Sequence, residues 1–169
     1  MIVDNLKRPH PRVKVLGVGN LLLRDEGVGV RVIEYIMDNG LLPQDIEVID
    51  GGTGGMRLIP IIQDADHLII IDAVRGGGRP GDIYRLTIGD LPLRLKQKTS
   101  LHEVGLQEVF SIINLLEKRL PEIVIIGVEP KKIDYGIGLT PEVGSVLPEV
   151  ALKIKEEVKR ILKGGEKDN

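Results

Sequence analysis

Cysteine and tryptophan are absent from the 169-residue chain, and phenylalanine occurs once. Without a thiol there is no disulfide, no cysteine nucleophile and no cysteine metal site. A reducing cytoplasm fits this composition, although the absence of cysteine does not by itself fix the compartment. The shortage of stacking side chains, with a formal net charge of −2, removes both the aromatic platform and the positive field that nucleic-acid binding needs, so no nucleic-acid partner is expected. Long apolar runs are missing too: none approaches the ~18 residues of a membrane span. The opening residues lack the apolar core of a signal peptide. A cytoplasmic protein with no membrane contact is expected.

What is present suits one globular core: 42% hydrophobic residues and a mean hydropathy of +0.06. Residues 1–12, with two prolines and mixed charge, read as a surface arm that includes His10. A single domain over 13–163 and a short tail over 164–169 complete the organisation, with no internal repeat.

The chain is organised around Val15 to Val30, VLGVGNLLLRDEGVGV. An apolar run ends in Gly-x-Gly-Asn, which predicts a strand from about Val13 to Val18 entering a tight turn. A helix from about Glu26 to Met37 follows, with Asp25 as its N-cap and Asn39-Gly40 as its stop. Glu26 therefore lands at a strand's carboxyl end, where open α/β sheets bind ligands. A dinucleotide fingerprint does not fit, because Leu22 stands where its third glycine belongs.

Further along, Ile46 to Ile49 predict a short strand ending at Asp50, followed by Gly51-Gly52-Thr53-Gly54-Gly55, a glycine density that admits close backbone approach. A short helix over about Met56 to Ile62 precedes His67 to Asp72, whose four central apolar residues imply a strand buried on both faces. The loop Gly76 to Gly81 is too short to hold a helix, so Ile83 to Thr87 is expected antiparallel and near an edge. Leu91 to Thr99 reads as a loop. Ser100-Leu101-His102-Glu103 matches a capping box opening a helix that runs to about Arg119. Ile123 to Val128 is the last core strand. Thr140-Pro141 supplies a cap and an N1 proline, and Pro148 bends or restarts the final helix. There Val150, Ile154, Val158, Ile161 and Leu162 form an apolar stripe, and Lys153, Lys155, Glu156, Glu157 and Lys159 a solvated face. The alternation predicts a three-layer α/β/α sandwich around a five-stranded, mostly parallel sheet with one antiparallel edge strand.

Three side chains stand out by location: Glu26 after the first strand, Asp72 after the third, and His102 in the first turn of the following long helix. If the first and third strands are neighbours, two carboxylates and one imidazole share a cleft. Such a set suits a borderline divalent metal shared with substrate, or acid-base chemistry without a metal. Each also has a structural reading: Glu26 as a charge at a helix N-terminus, Asp72 as a loop cap, His102 as an exposed first-turn residue. His67 opens its strand at the end opposite Asp72 and reads as structural. His102-Glu103-Val104-Gly105-Leu106 is no zincin helix, because Leu106 replaces the second histidine. No G-x-S-x-G elbow occurs.

Six blocks in series, Gly17-Val18-Gly19-Asn20 with Asp25-Glu26 and Gly29-Val30, Asp50-Gly51-Gly52-Thr53-Gly54, Ile71-Asp72-Ala73, Ser100-Leu101-His102-Glu103, Gly127-Val128-Glu129-Pro130 and Gly138-Leu139-Thr140-Pro141, resemble the hydrogenase maturation endopeptidases. The resemblance runs from about Val13 to Leu162. It implies a phosphorylase/hydrolase-like α/β/α fold with an antiparallel edge strand. It also implies an enzyme that removes the C-terminal extension of a nickel-iron hydrogenase large-subunit precursor after nickel insertion. The family's metal-contacting glutamate, aspartate and histidine fall on Glu26, Asp72 and His102, and substrate recognition is assigned to Asp50, Gly51, Gly52 and Thr53. The nickel is expected to arrive on the precursor's own cysteines, with no resident metal in the isolated protein, which is taken as a monomer. Two alternatives stay open: a non-proteolytic nickel-binding chaperone with the same ligands, and another hydrolase on a similar fold, such as a peptidyl-tRNA hydrolase.

Overall fold

The computed structural model describes residues 10–90, 114–115 and 118–165. Five strands, β1 (Val13–Val18), β2 (Glu47–Gly52), β3 (His67–Ala73), β4 (Ile83–Thr87) and β5 (Glu122–Val128), form one sheet in the order β2-β1-β3-β5-β4. All pairings are parallel except that of β4 with β5. The short Gly76 to Gly81 connection thus has the predicted consequence, an antiparallel edge strand. β1 and β3 are neighbours, the condition on which a shared cleft depended.

Alternation along the strands divides the core in two. On one face Val13, Val15, Ile69, Ile71, Val124 and Ile126 pack with Val28, Val32, Ile33 and Ile36 of α1 (Val28–Asp38). Val150, Ile154, Val158 and Ile161 of α4 (Leu147–Gly165) complete that layer. On the other face Leu16, Val18, Leu68, Ile70, Ile123 and Ile125 pack with Leu58 and with Ile62 of α2 (Ile59–Gln63). Each such aliphatic side chain contributes roughly 1.5–3 kcal/mol by leaving water. Among the described residues no helix is long and apolar enough to cross a membrane.

Four local expectations are corrected. Asp25 is not an N-cap: residues Arg24–Gly27 form a 3₁₀ turn, and Gly27 holds the N-cap position of α1. β2 does not stop before its glycines but runs through Gly52, with Gly51 as the extra residue of a bulge between Asp50 and Gly52 opposite Gly17 and Val18. Thr140 stands at the N-cap position of α3 (Pro141–Gly144) without capping it. Glu157 is buried, not solvated. Its carboxylate receives Arg85 of β4 through Nε at 3.1 Å and Nη2 at 2.7 Å, and Arg160 through Nε at 3.0 Å. The Arg85 guanidinium first, opposed by burial and joined by Arg160, holds the Glu157 carboxyl below the usual range. Pro148 restarts the chain as the second residue of α4. The loop from Leu91 to Thr99, the Ser100-Leu101-His102-Glu103 capping box and most of the helix it opens lie outside the described residues.

Candidate functional site

The β1–β3 register ends with Gly17 opposite Ile71, so Val18 and Asp72 stand side by side at the sheet's carboxyl edge. From there the chain turns back on itself. Asn20 Oδ1 accepts the Leu22 N–H at 2.9 Å, and the Asn20 carbonyl accepts that of Leu23 at 3.1 Å. The Arg24–Gly27 turn is thereby laid over the ends of β1 and β3. Two glycines make the seating possible. A Cβ on Gly19, whose φ is +146°, would collide with the Glu26 carbonyl, and one on Gly29 would meet the carbonyl oxygens of Val18 and Ile71. Glu26 and Asp72 are consequently held at one edge, 1% and 2% exposed. Asp72 Oδ1 also accepts the Ala73 N–H at 2.8 Å.

Two further buried carboxylates occupy the same edge. Asp25 receives the N–H groups of Lys131 and Lys132 at 2.9 Å on Oδ2, the Thr140 N–H at 2.7 Å on Oδ1, and the Thr140 hydroxyl at 2.8 Å on Oδ2. Glu129 Oε2 receives the Gly76 N–H at 2.6 Å and the Tyr84 hydroxyl at 2.7 Å. Tyr84 in turn accepts the Gly78 N–H at 3.0 Å, which folds the glycine loop against the ends of β3 and β5. Burial, then the hydrogen bond to Glu129, pushes the Tyr84 hydroxyl up to about 12. Neither carboxylate's partner was identified in the sequence. Their only signal was position: Asp25 beside Glu26, and Glu129 directly after an apolar strand.

Asp50, Gly51, Gly52 and Thr53 lie at the carboxyl end of β2, next to the exit of β1. Asp50 Oδ1 accepts the Gly52 N–H, and the Gly52 carbonyl accepts the Gly19 N–H, each at 2.9 Å. Asp50 and Thr53 are exposed. Leu22, Tyr135 and Ile137 project exposed beside the turn, on segments joined by the Gly136 N–H to the Leu22 carbonyl at 2.9 Å. His67 sits at the opposite edge, its Nδ1 3.5 Å from Glu122 Oε2, as its strand-opening position implied. His102 lies outside the described residues. Among those described, no three His, Cys, Asp or Glu side chains are grouped to hold a metal.

Residues 30–159 match the family profile described as HycI, hydrogenase maturation protease. The chain belongs to the hydrogenase maturation protease family. It is 39% identical over 137 residues to the hydrogenase 2 maturation protease of Escherichia coli K12, covering 80% of this chain and 84% of that one. It is 36% identical over 152 residues to the hydrogenase expression/formation protein HupD of Rhodobacter capsulatus, with 89% and 71% covered. The solved structure of the E. coli hydrogenase maturating endopeptidase HybD superposes with a TM-score of 0.78 at 34% identity, covering 88% of this chain and 93% of that one. HybD of Thermococcus kodakarensis, a [NiFe] hydrogenase maturation protease, superposes at 0.71 with 27% identity, covering 87% and 98%. As a hydrogenase maturation protease the chain is an endopeptidase, and its five-stranded mixed sheet is the family's.

Proposed function

We propose that this endopeptidase removes the C-terminal extension of a nickel-iron hydrogenase large-subunit precursor once nickel has been inserted, with Glu26, Asp72 and His102 contacting the nickel that the precursor carries. The observation that carries the reading is the burial of Glu26 and Asp72 together on the ends of adjacent strands, in a chain of this protease family. Oxygen and imidazole ligands suit a borderline divalent ion. The metal is thus part of the substrate, and the protein needs none of its own. Either the scissile carbonyl or the attacking water takes the metal's polarisation. In both cases water adds to the carbonyl carbon, the C–N bond breaks, and a proton passes to the leaving nitrogen. The Asp50 to Thr53 segment receives the client's main chain, and Leu22, Tyr135 and Ile137 offer it an apolar rim. The protein works as a monomer in the cytoplasm.

The test is intact mass of nickel-loaded precursor after incubation with Glu26→Gln, Asp72→Asn and His102→Ala. Each is expected to slow cleavage on the order of a hundred-fold while remaining folded. Wild-type rates in all three overturn the assignment. A precursor that binds but keeps its full mass with the unaltered protein supports a chaperone instead.

A further inference from the structure

Asp25 is fully buried beside Glu26, and its carboxylate is held by a segment more than a hundred residues on in the chain. The backbone joins the same two segments. The Arg24 N–H donates to the Gly136 carbonyl at 3.0 Å, the Asp25 N–H to the Lys132 carbonyl at 3.2 Å, and the Gly136 N–H to the Leu22 carbonyl at 2.9 Å. Arg24, the non-glycine residue with a positive φ, +51°, among those described, is held in that conformation with its Nε 2.9 Å from Asp134 Oδ1. Consecutive side chains of a 3₁₀ turn project about 120° apart. Fixing the direction of Asp25 therefore fixes that of its neighbour.

We propose that Asp25 is a positioning residue, clasping residues 131–140 onto the Arg24–Gly27 turn and so setting where the Glu26 carboxylate stands. The inference rests on the assignment of Glu26 to the client's metal. A carboxylate suits the task because it only accepts, and the amides of Lys131, Lys132 and Thr140 all donate. Asparagine would turn an NH2 group against one of these donors.

The experiment pairs a double-mutant cycle with hydrogen exchange on the intact chain. Nickel-loaded precursor is cleaved by wild type, Asp25→Asn, Glu26→Gln and the double variant, below the melting temperature of each, with rates taken per folded molecule. Asp25→Asn is expected to lower kcat about tenfold with KM unchanged, and to add nothing in the Glu26→Gln background. Thr140→Val, which removes the hydroxyl and keeps the amide, is expected to do the same more weakly, and Thr140→Ser to restore the wild-type rate. In the free protein, amide exchange at Arg24 and Gly136 is expected to quicken about tenfold in Asp25→Asn. A lowered melting temperature with unchanged kcat overturns the inference alone, as do additive effects or unchanged exchange. Full activity in Glu26→Gln overturns the functional reading and this inference with it. If Asp25→Asn does not fold, Thr140→Val against Thr140→Ser decides by the same kcat and exchange criteria.

Discussion

The two edges of the sheet bury charge in opposite ways. At the amino edge acid meets base: Lys14 Nζ lies 2.9 Å from Asp64 and 3.4 Å from Glu47, Arg12 pairs with Asp64, and His67 faces Glu122. The carboxylates there are about half exposed, with Asp64 at 49% and Glu122 at 63%. At the carboxyl edge Asp25, Glu26, Asp72 and Glu129 are all buried, and the donors to Asp25 and Glu129 are neutral amides and hydroxyls. Neutral donors stabilise a carboxylate without cancelling its charge. The difference teaches that, among the described residues, the amino edge pairs acid with base while the carboxyl edge gathers four buried carboxylates, the arrangement on which the proposed recognition of a cation brought by the client rests.

The comparison breaks first in activity. Glu26→Gln and Asp72→Asn are expected to slow processing of nickel-loaded precursor on the order of a hundred-fold, whereas Asp64→Asn and Glu122→Gln leave its rate within about twofold, as expected for changes remote from the chemistry. Equal losses at both edges in a cleavage assay would erase the distinction. Stability gives the next largest contrast. Asp25→Ala strands several buried donors and should cost about 2–4 kcal/mol in urea unfolding. Glu122→Ala, at an exposed pair, should cost no more than about 1 kcal/mol.

Smaller effects sharpen the picture. Tyr84→Phe removes one donor from Glu129 and should cost roughly 1 kcal/mol at neutral pH. Because folding raises the Tyr84 value to about 12, its contribution is whole below the ordinary tyrosine value of about 10 and fades as pH rises through 12. Phenolate absorbance should show that late titration, and Tyr84→Phe should lack it. The smallest effect is acidic. Glu157 has a depressed value, so its contribution is present above the ordinary glutamate value and lost as pH falls through the lower folded one. Arg85→Met should flatten that part of the stability profile, read by thermal melts across the acid range.

Much of this was legible in the sequence because it is local. The apolar runs of β1, β3 and β5, the short loop that forces β4 antiparallel, and the placement of Glu26 and Asp72 at strand ends all follow from residues within a few positions. What escaped depends on distance along the chain. Asp25 looked like a cap because its true partners are 106 to 115 residues away, and Thr140 looked like another cap for the same reason. Glu157 sat in a charged helical run, and its distant partner, the edge strand's Arg85, lies 72 residues away. The end of β2 was lost because glycines disfavour strands, until a bulge lets them pair with β1.

The most direct measurement is the intact mass of the precursor after incubation with this protein, with and without nickel in the client. The account predicts loss of the C-terminal segment from the nickel-loaded form alone. Equal cleavage of both forms would contradict it, since the anionic edge would then have no cation to recognise.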